Sequence, residues 1–207
     1  MPFFPLIVGT FILGFGYFLG SIPSGYLAGK WLANVDLRQI GSGSTGATNV
    51  LRHVGKWPAL AVFLIDVSKG ALAVLIAKAF LLNDYWQVAA GLTALIGHIW
   101  PIWLSWKGGK AVATGLGILL GLTWQVGLAC FGVFLLAISI SKIVSLSSII
   151  ASTSLPLLML ISFHRGDFRP AYFALSLFTM AIVLWRHRSN LQRLLAGKEP
   201  RIGQSRE

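Results

Sequence analysis

Residues 39–52, QIGSGSTGATNVLR, combine glycines, small hydroxyl side chains and one arginine. Glycine allows positive φ and a close approach of the backbone to a ligand, and successive N–H groups in such turns can bind an anion. Arg52 adds a planar guanidinium suited to phosphate. The segment therefore predicts a phosphate-binding loop rather than a flexible Gly/Ser linker, because it runs into a helix-like basic stretch. It is not a Walker loop, since GxxxxGK[ST] is absent. Its neutral hydrogen-bonding side chains are Ser42, Ser44, Thr45, Thr48 and Asn49.

Residues 106–115, WKGGKAVATG, form a second candidate anion site. Lys107 and Lys110 flank the pair Gly108-Gly109 directly before an apolar run. A helix beginning there would direct its first N–H groups and its positive dipole end toward the loop, which favours an anion. A plain basic turn at the cytoplasmic end of a membrane span is the alternative.

Three ionisable residues fall inside apolar stretches. Asp66 and Lys69, in DVSKG, are three residues apart and can pair on one helix face. Charges inside a membrane normally pair and face the bundle interior, so we expect a structural ion pair that braces the site rather than a catalytic pair. His98, in GHIWPIW, is either a functional residue or a packing residue with a satisfied ring.

The segment RHRSN contains a fourth candidate group. His187 and Asn190 are three residues apart and would share a face of a helix. An imidazole there could donate to a phosphate or accept a proton. The alternative is a basic patch for lipid head groups, which accounts for the arginines but not for Asn190.

The composition places these motifs in an integral membrane protein. Of 207 residues only 11% are charged, against roughly 25% in soluble domains, and the mean hydropathy is +0.76. The 17 Lys and Arg against 6 Asp and Glu are interpreted as cytoplasmic anchors and ligands for an anionic substrate, and the long apolar runs disfavour nucleic-acid binding. Cys130 is the only cysteine, so an intrachain disulfide and a cysteine metal site are excluded. The prediction is one domain over residues 1–207, with a monomer favoured.

Span length and loop charge predict an all-α fold with seven transmembrane helices, the N-terminus outside and the C-terminus in the cytoplasm. A span needs about 20 mostly apolar residues, and Lys and Arg prefer the cytoplasmic side. Residues 113–140 could form one long helix or two short ones, and only two would place the basic tail inside. The first span lacks a preceding positive region, so we interpret it as retained rather than as a cleaved signal peptide. The predicted spans are residues 3–22, 58–80, 86–106, 113–122, 125–140, 146–163 and 170–186.

Two features lie outside this pattern. The loop 164–169 carries two arginines. The seven-span topology places this loop outside the cell, which is against the charge rule. Residues 203–207 are expected to form a frayed tail. The polar, glycine-rich segments nevertheless gather at the cytoplasmic face, which turns separate motifs into one candidate site.

Three other functions compete with a phosphate-handling enzyme of this kind. An acyltransferase of the H-x4-D type would need an Asp five residues after a His, and none of the four histidines has one. A membrane phosphatase is weakly suggested by Pro23-Ser24-Gly25, which begins like a PSGH motif, but Tyr26 replaces the His. An anion or phosphate transporter fits the basic loops and the short helices, although we find no internal repeat.

Taken together, the motifs resemble the bacterial acyl-phosphate:glycerol-3-phosphate acyltransferase family, PlsY. The matching segments run in order from about residue 20 to residue 202 and are GSGSTGATNVLRHVG, the D-x-x-KG of residues 66–70, GHIWPIW-x3-KGGKAVAT and HRSN-x3-RLLAGKEPRI. In one departure, many family members have Asn where this chain has Ser44, so the role of position 44 is left open.

The resemblance implies a reaction and a site. A fatty acyl group would pass from acyl phosphate to the sn-1 hydroxyl of glycerol 3-phosphate and give lysophosphatidic acid, with no cofactor and no metal, at the cytoplasmic face of the bacterial inner membrane. Membrane lipid would surround the enzyme. The implied catalytic residues are Ser42, Arg52, Lys110, His187 and Asn190. The implied substrate phosphate-binding residues are Gly41, Gly43, Thr48, Asn49, Lys107, Gly108, Gly109 and Ser148.

Overall fold

The computed structural model describes residues 3–163 and 168–203, and their regular secondary structure is helical. The chain forms two compact units, Met1–Leu122 and Thr123–Glu207. Each unit is described by itself below. The interpretation of residues 1–207 as a single domain stays a prediction.

The first unit is built around one long central helix. That helix packs against all five of the other α-helices described in the unit, and the first helix also packs on the fifth. Its apolar interior includes Val50, Ala59 and Val62 beneath the first polar loop, all nearly inaccessible to solvent. The helices are α1 (Phe3–Gly20), α2 (Ser24–Ala33), α3 (Ala47–His53), the central α4 (Lys56–Ala79), α5 (Asp84–Ile99) and α6 (Val112–Leu122), with a 3-10 turn (Ile102–Leu104) between α5 and α6.

The second unit contains three apolar helices, which follow one another in the chain, and then a short polar helix. The second of the three apolar helices packs against both the first and the third, and the last helix contacts the second and third. Its buried apolar residues include Leu155, Met159 and Leu175. The helices are α7 (Trp124–Ser141), α8 (Val144–Ser162), α9 (Pro170–Arg186) and α10 (Arg188–Leu195).

The predicted break between residues 113 and 140 is present. Helix α6 ends at Leu122 and α7 begins at Trp124, because Thr123 adopts the non-helical angles φ −149° and ψ 89°. Each of the other predicted spans also coincides with a helix to within a few residues, with one exception. The span predicted over residues 86–106 ends at Ile99, because the proline at 101 disfavours helical geometry in the residue before it.

The long connection after α1 is more ordered than the sequence interpretation had it. It contains α2 and α3. The sequence predicts only a helix-like stretch after the glycines, which corresponds to α3. The chain bends at residues 21–23, and α2 ends at Asn34, which adopts a left-handed conformation with φ 53°. Asparagine tolerates this conformation better than most residues, and it stops the helix.

Within the described residues, five helical segments are long and apolar enough to cross a membrane. They are Pro5–Ala33, Lys56–Ala79, Asp84–Leu104, Trp124–Ser141 and Val144–Ser162. The apolar helices α6 and α9 are shorter, and α6 with its 11 residues rises only about 16 Å against a hydrocarbon core of about 30 Å. The count of seven spans and the orientation of the termini therefore stay predictions.

Burial is inverted relative to a water-soluble protein. Phe11 and Ile140 expose 77% and 76% of their surface, whereas Asp66 and Lys69 expose 1% and 3%. Large exposed apolar side chains are expected where lipid surrounds the chain, because lipid tails do not penalise them. The predicted outside loop 164–169 and the predicted tail 203–207 each have four residues, 164–167 and 204–207, outside the described residues.

Candidate active site

The first polar loop turns on two glycines in the left-handed region. Gly41 has φ 60° and Gly43 has φ 66°, a conformation that other residues adopt at a cost. A Cβ atom on Gly41 would overlap the Asn49 side-chain oxygen. The predicted use of glycine for positive φ is thus present at both positions.

Asn49 holds this loop together from inside. It is 1% exposed, and its Nδ2 donates to the carbonyls of Leu37 at 3.0 Å, Ile40 at 3.1 Å and Ser44 at 3.0 Å. Its Oδ1 accepts from the Ser42 amide at 3.4 Å. Since a side-chain amide has only two N–H donors, these contacts occupy Asn49 in holding the loop together, and its contact with phosphate stays a prediction.

Helix α3 carries the candidate ligands that follow the loop. Thr48 and Arg52 are both half-buried and lie one helical turn apart, so they share a face of α3. Ser42, in the loop itself, is also half-buried. These three polar side chains are therefore accessible enough to meet a ligand, unlike Asn49.

The second loop is strained at three residues that are not glycine. Ser105, Trp106 and Ala111 have φ values of 51°, 65° and 65°. Such residues cost about 1–3 kcal/mol each and persist only where the surrounding structure imposes them, often at functional sites. Lys107 is exposed and Lys110 half-buried within this strained segment.

The glycine pair of this loop packs against the end of α5. The Gly108 amide donates to the Ile99 carbonyl and the Gly109 amide to the His98 carbonyl, both at 3.0 Å. A Cβ atom on Gly109 would overlap the His98 ring. These two amides donate inside the fold. The predicted contact of Gly108 and Gly109 with phosphate stays a prediction, as does that of the two lysines.

A buried polar cluster lies behind both loops. Lys69 Nζ is 2.8 Å from Asp66 Oδ1, and Ser24 Oγ donates to the same oxygen at 2.7 Å. His98 Nδ1 lies 3.6 Å from that carboxylate. The predicted pairing of Asp66 with Lys69 is therefore present, and Ser24, which had suggested a phosphatase motif, belongs to this cluster.

Arg38, directly before the first loop, contacts the 3-10 turn that precedes the second loop, and the sequence pattern did not single it out. Its guanidinium donates to Asp36 through Nε at 3.0 Å and Nη2 at 2.7 Å, and its Nη1 donates to the Leu104 carbonyl at 3.3 Å. The hydrogen bonds from Arg38 hold the pKa of Asp36 below its ordinary value, because they favour the charged carboxylate. The signal that could have found this pair is the scarcity of acidic residues, 6 against 17 basic ones.

In the second unit, His187 lies where α9 meets α10. Its ring is buried, and Nδ1 is 2.8 Å from the Val183 carbonyl. A carbonyl only accepts hydrogen bonds, so Nδ1 carries the hydrogen, and in the neutral ring the lone pair belongs to Nε2. This tautomer leaves Nε2 as the nitrogen that can accept a proton.

Asn190 and Ser148 are also buried in the second unit. Asn190 Nδ2 donates to Glu199 Oε1 at 2.6 Å, and the same oxygen accepts from Ser145 Oγ at 2.8 Å. Arg193 Nε donates to the other carboxylate oxygen at 2.7 Å. Ser148 Oγ donates to the Val144 carbonyl of its own helix at 2.9 Å. Glu199, which the sequence interpretation did not single out, is therefore the residue that organises this group.

The structure thus places the candidate residues in two groups. The first unit holds the two glycine loops with the arginine and lysines, and the second holds the histidine, asparagine and serine. The first unit thus offers polar groups of the kind that bind phosphate, and the second unit holds a buried imidazole. In an apolar helical fold, these features are typical of a membrane enzyme that handles an anionic substrate.

The comparisons with known proteins identify the family. Residues 10–197 match the family model described as glycerol-3-phosphate acyltransferase. The chain is 72% identical over 190 residues, 92% of this chain and 93% of the relative, to the glycerol-3-phosphate acyltransferase of Prochlorococcus marinus (strain MIT 9313). It is 65% identical over 199 residues, 96% of this chain and 98% of the relative, to that of Synechococcus sp. (strain CC9902).

Solved structures agree with the sequence relatives. A crystal structure of PlsY (YgiH), an integral membrane glycerol 3-phosphate acyltransferase in its glycerol 3-phosphate form, superposes with a TM-score of 0.88 at 38% identity, covering 95% of this chain and 96% of that chain. The lysophosphatidic acid form gives a TM-score of 0.85 at 36% identity, with the same coverage of each chain. This chain belongs to the glycerol-3-phosphate acyltransferase family. It is an integral membrane acyltransferase of phospholipid biosynthesis.

Proposed function

We propose that the enzyme transfers a fatty acyl group from acyl phosphate to the sn-1 hydroxyl of glycerol 3-phosphate. The bond that forms joins the substrate hydroxyl oxygen to the acyl carbon, and the bond that breaks joins that carbon to the phosphate oxygen. The products are lysophosphatidic acid and inorganic phosphate. Two solved relatives, described by their glycerol 3-phosphate and lysophosphatidic acid forms, support the acceptor and the product.

The observation that carries this proposal is the pair of loops in the first unit. Both loops hold left-handed backbone, and Arg52, Lys107 and Lys110 accompany them. Both proposed substrates carry a phosphate, so two basic loops match two anionic groups. We assign Arg52 and Lys110 to the phosphate that leaves or to the charge that develops on the acyl oxygen, with Lys107 as an outer phosphate ligand.

Acyl phosphate is a mixed anhydride and is already activated. The reaction then needs its leaving group held, the incoming hydroxyl aligned and the developing negative charge stabilised, but it needs no covalent enzyme intermediate. Ser42 and Thr48 supply hydroxyl donors on the loop and on α3 for this purpose. Gly41 and Gly43 shape the loop so that its backbone can approach the phosphate.

The buried cluster behind the loops is assigned a bracing role. Asp66 accepts from Lys69 and from Ser24, and the His98 ring lies against Gly109 of the second loop. The cluster therefore connects the carboxylate to the loop that carries the lysines. A carboxylate with several donors at this depth is held in place rather than poised to react.

The proton of the acceptor hydroxyl has two possible destinations. One is Nε2 of His187, which the hydrogen on Nδ1 leaves as the basic nitrogen. The other is a phosphate oxygen of the substrate itself. Asn190 and Ser148 are proposed to assist at this group, Asn190 while it also holds Glu199 in position.

We place the reaction at the cytoplasmic face of the bacterial inner membrane, because the loop charges predict that the basic segments lie inside. The activity is tested by mixing the purified protein with acyl phosphate and glycerol 3-phosphate and following phosphate release. Release that depends on glycerol 3-phosphate, with formation of lysophosphatidic acid, is the expected result. Phosphate release at the same rate without the acceptor would instead indicate a hydrolase.

The role of His187 is tested by His187→Gln. If the imidazole is the obligate base, turnover falls by about 10²–10⁴-fold, while binding of glycerol 3-phosphate, measured by calorimetry, stays close to that of the unmodified enzyme. The neighbouring exposed Arg188→Gln is the control and should retain activity. A His187→Gln enzyme with most of its activity would assign the proton to the substrate phosphate.

A further inference from the structure

A small polar cavity lies inside the first unit, behind the two loops. It is lined by the turn between α1 and α2 and by side chains from three other parts of the unit. The polar residues in its wall are Ser21, Ser24, Thr45, Lys69 and His98. All five are buried, with exposed fractions between 0% for Ser21 and 8% for Ser24.

One wall of this cavity carries an unsatisfied hydroxyl. Ser21 is 0% exposed, and its Oγ has no hydrogen-bond partner among the described residues. A buried hydroxyl without a partner loses its hydrogen bonds to water and gains none in return, so native proteins rarely leave one unpaired. Gly97 of α5 packs directly on Ser21, and a Cβ atom there would lie 2.9 Å from its Oγ. Ser21 therefore packs against α5 and also lines the cavity.

A second wall of the cavity carries the Lys69 ammonium group, and one of its three N–H donors can bind a further partner. Lys69 Nζ donates to the Ile22 carbonyl at 3.2 Å and lies 2.8 Å from Asp66 Oδ1. These two partners use two of the three N–H donors of a lysine. Ser24 Oγ donates to Asp66 and can still accept a hydrogen bond through its oxygen.

We propose that this cavity is a binding site for a single ordered water molecule, which completes the hydrogen bonding of Ser21 and Lys69. The cavity has room for about one water molecule. Buried waters typically make about three hydrogen bonds, and here the ammonium donates to the water while the Ser21 and Ser24 hydroxyls offer further partners. A bound anion is disfavoured, because Asp66 already neutralises the ammonium at close range.

The position of this water gives it a structural function. It touches the turn after α1, the start of α2, the first polar loop at Thr45 and helices α4 and α5. A single bridging molecule thus joins the turn after α1 and the first polar loop to the Asp66 cluster. The water contacts only these protein groups, so its binding does not require the acyl donor.

A crystal structure of the full-length enzyme at a resolution that shows ordered waters tests the site directly. The expected result is one oxygen-sized peak within hydrogen-bond distance of Ser21 Oγ and Lys69 Nζ. Crystals soaked in bromide provide the second measurement, because bromide gives an anomalous signal and water does not. An empty cavity, a Ser21 hydroxyl bonded to a backbone carbonyl instead, or a bromide peak would each overturn the proposal.

The sign of a stability change provides an independent test in solution. If a water is bound, Ser21→Ala leaves it short of a partner and lowers the Tm by about 2–4 °C, the shift expected for a hydrogen bond of ordinary strength in a chain of this size. If the hydroxyl is unsatisfied, its removal instead raises the Tm or leaves it unchanged, which would contradict the proposal.

Thr114→Val is the matched control for this measurement. The Thr114 hydroxyl is also 0% exposed and without a hydrogen-bond partner among the described residues, but it is not part of the cavity wall. Its removal should not lower the Tm. Opposite effects of the two substitutions would support the water, and equal effects would refute it.

Discussion

At the scale of single residues, the candidate site depends on backbone positions where a side chain does not fit. Gly41 combines a φ of 60° with a contact to Asn49 that leaves no space for a Cβ atom. Gly46, five residues later in the same loop, has φ −78° and ψ 163°, and its nearest neighbour to an added Cβ would be Ser44 Oγ at 3.7 Å. The two glycines therefore make a matched pair for substitution.

Gly41→Ala should lower the free energy of unfolding by about 1–3 kcal/mol. It should also lower the acyl transfer carried out by the fraction that stays folded, because the added Cβ atom displaces the Asn49 side chain that holds the loop. Gly46→Ala should be close to neutral in both respects. The measurements are thermal unfolding and acyl transfer on the purified variants. Equal losses at the two positions would show that loop geometry at Gly41 is not the determining factor.

At the scale of secondary-structure elements, α4 and α6 pack with their backbones in contact. A Cβ atom on Gly70 would overlap the Thr114 carbonyl, and one on Gly117 would overlap the Val67 carbonyl. Small residues at such crossings allow helices to approach closely, which is the main source of helix association in lipid. The crossing positions the start of α6, which follows the second loop directly.

Gly117→Ala should therefore destabilise the first unit by about 1–3 kcal/mol, because the obstructing atoms belong to the backbone and cannot rotate away. Gly14→Ala is the control, since an added Cβ there meets nothing within 4 Å. It should be neutral or slightly stabilising, as expected for alanine in a helix. Thermal unfolding in detergent distinguishes the two outcomes, and similar Tm values would argue against a close crossing.

The short helix α10 is held by one carboxylate. Burial raises the pKa of Glu199, but hydrogen bonds from Asn190, Ser145 and Arg193 outweigh it and hold the pKa below its ordinary value of 4.5. The Ile202 amide donates to the Lys142 carbonyl at 2.8 Å, so the segment after α10 is also tied to the C-terminal end of α7. Glu199 thus links the position of Asn190 to the second unit as a whole.

The lowered pKa of Glu199 means that its charged form stabilises the folded state. A carboxyl with a lower pKa in the folded than in the unfolded state stabilises the fold above pH 4.5 and loses that contribution as the pH falls through the folded value. Glu199→Gln should therefore lower the Tm at pH 7, and the difference from the unmodified enzyme should shrink as the pH drops below about 4.5. A Tm difference between the two enzymes that stays constant from pH 7 to pH 3 would show that the carboxylate charge of Glu199 does not stabilise the fold.

At the scale of the whole molecule, the open question is how the chain crosses the membrane. Five segments in the part of the chain that the structure describes are long enough to span a membrane, and α6 and α9 are shorter. The charge rule predicts seven spans, because only an odd count places the basic tail inside when the N-terminus is outside. Helix lengths alone do not decide this, since an irregular or short helix can lie within a protein interior at membrane depth.

Cysteine labelling in oriented vesicles tests this topology. The single native cysteine is first removed by Cys130→Ser, and then one cysteine is introduced by Asn83→Cys or by Arg201→Cys, both in a background that retains acyl transfer. We expect a membrane-impermeant reagent to label position 83 from outside and position 201 from the cytoplasmic side. Labelling of both positions from the same side would contradict the seven-span model.

The sequence by itself determined the membrane-type helical fold, the break between residues 122 and 125, a first loop that uses glycine for positive φ and the pairing of Asp66 with Lys69. These features follow from local causes: apolar run length, backbone freedom and helical spacing. The family resemblance likewise rests on local motifs, and the comparisons support it.

Only the tertiary structure decided what each polar group touches. Asn49 and the Gly108-Gly109 pair had the right types for phosphate binding, yet their donors are directed to carbonyls of the fold. Arg38 and Glu199 looked like ordinary charges, yet each joins separate segments. A hydrogen bond depends on distance and direction between groups far apart in the chain, and residue type and spacing do not specify these quantities.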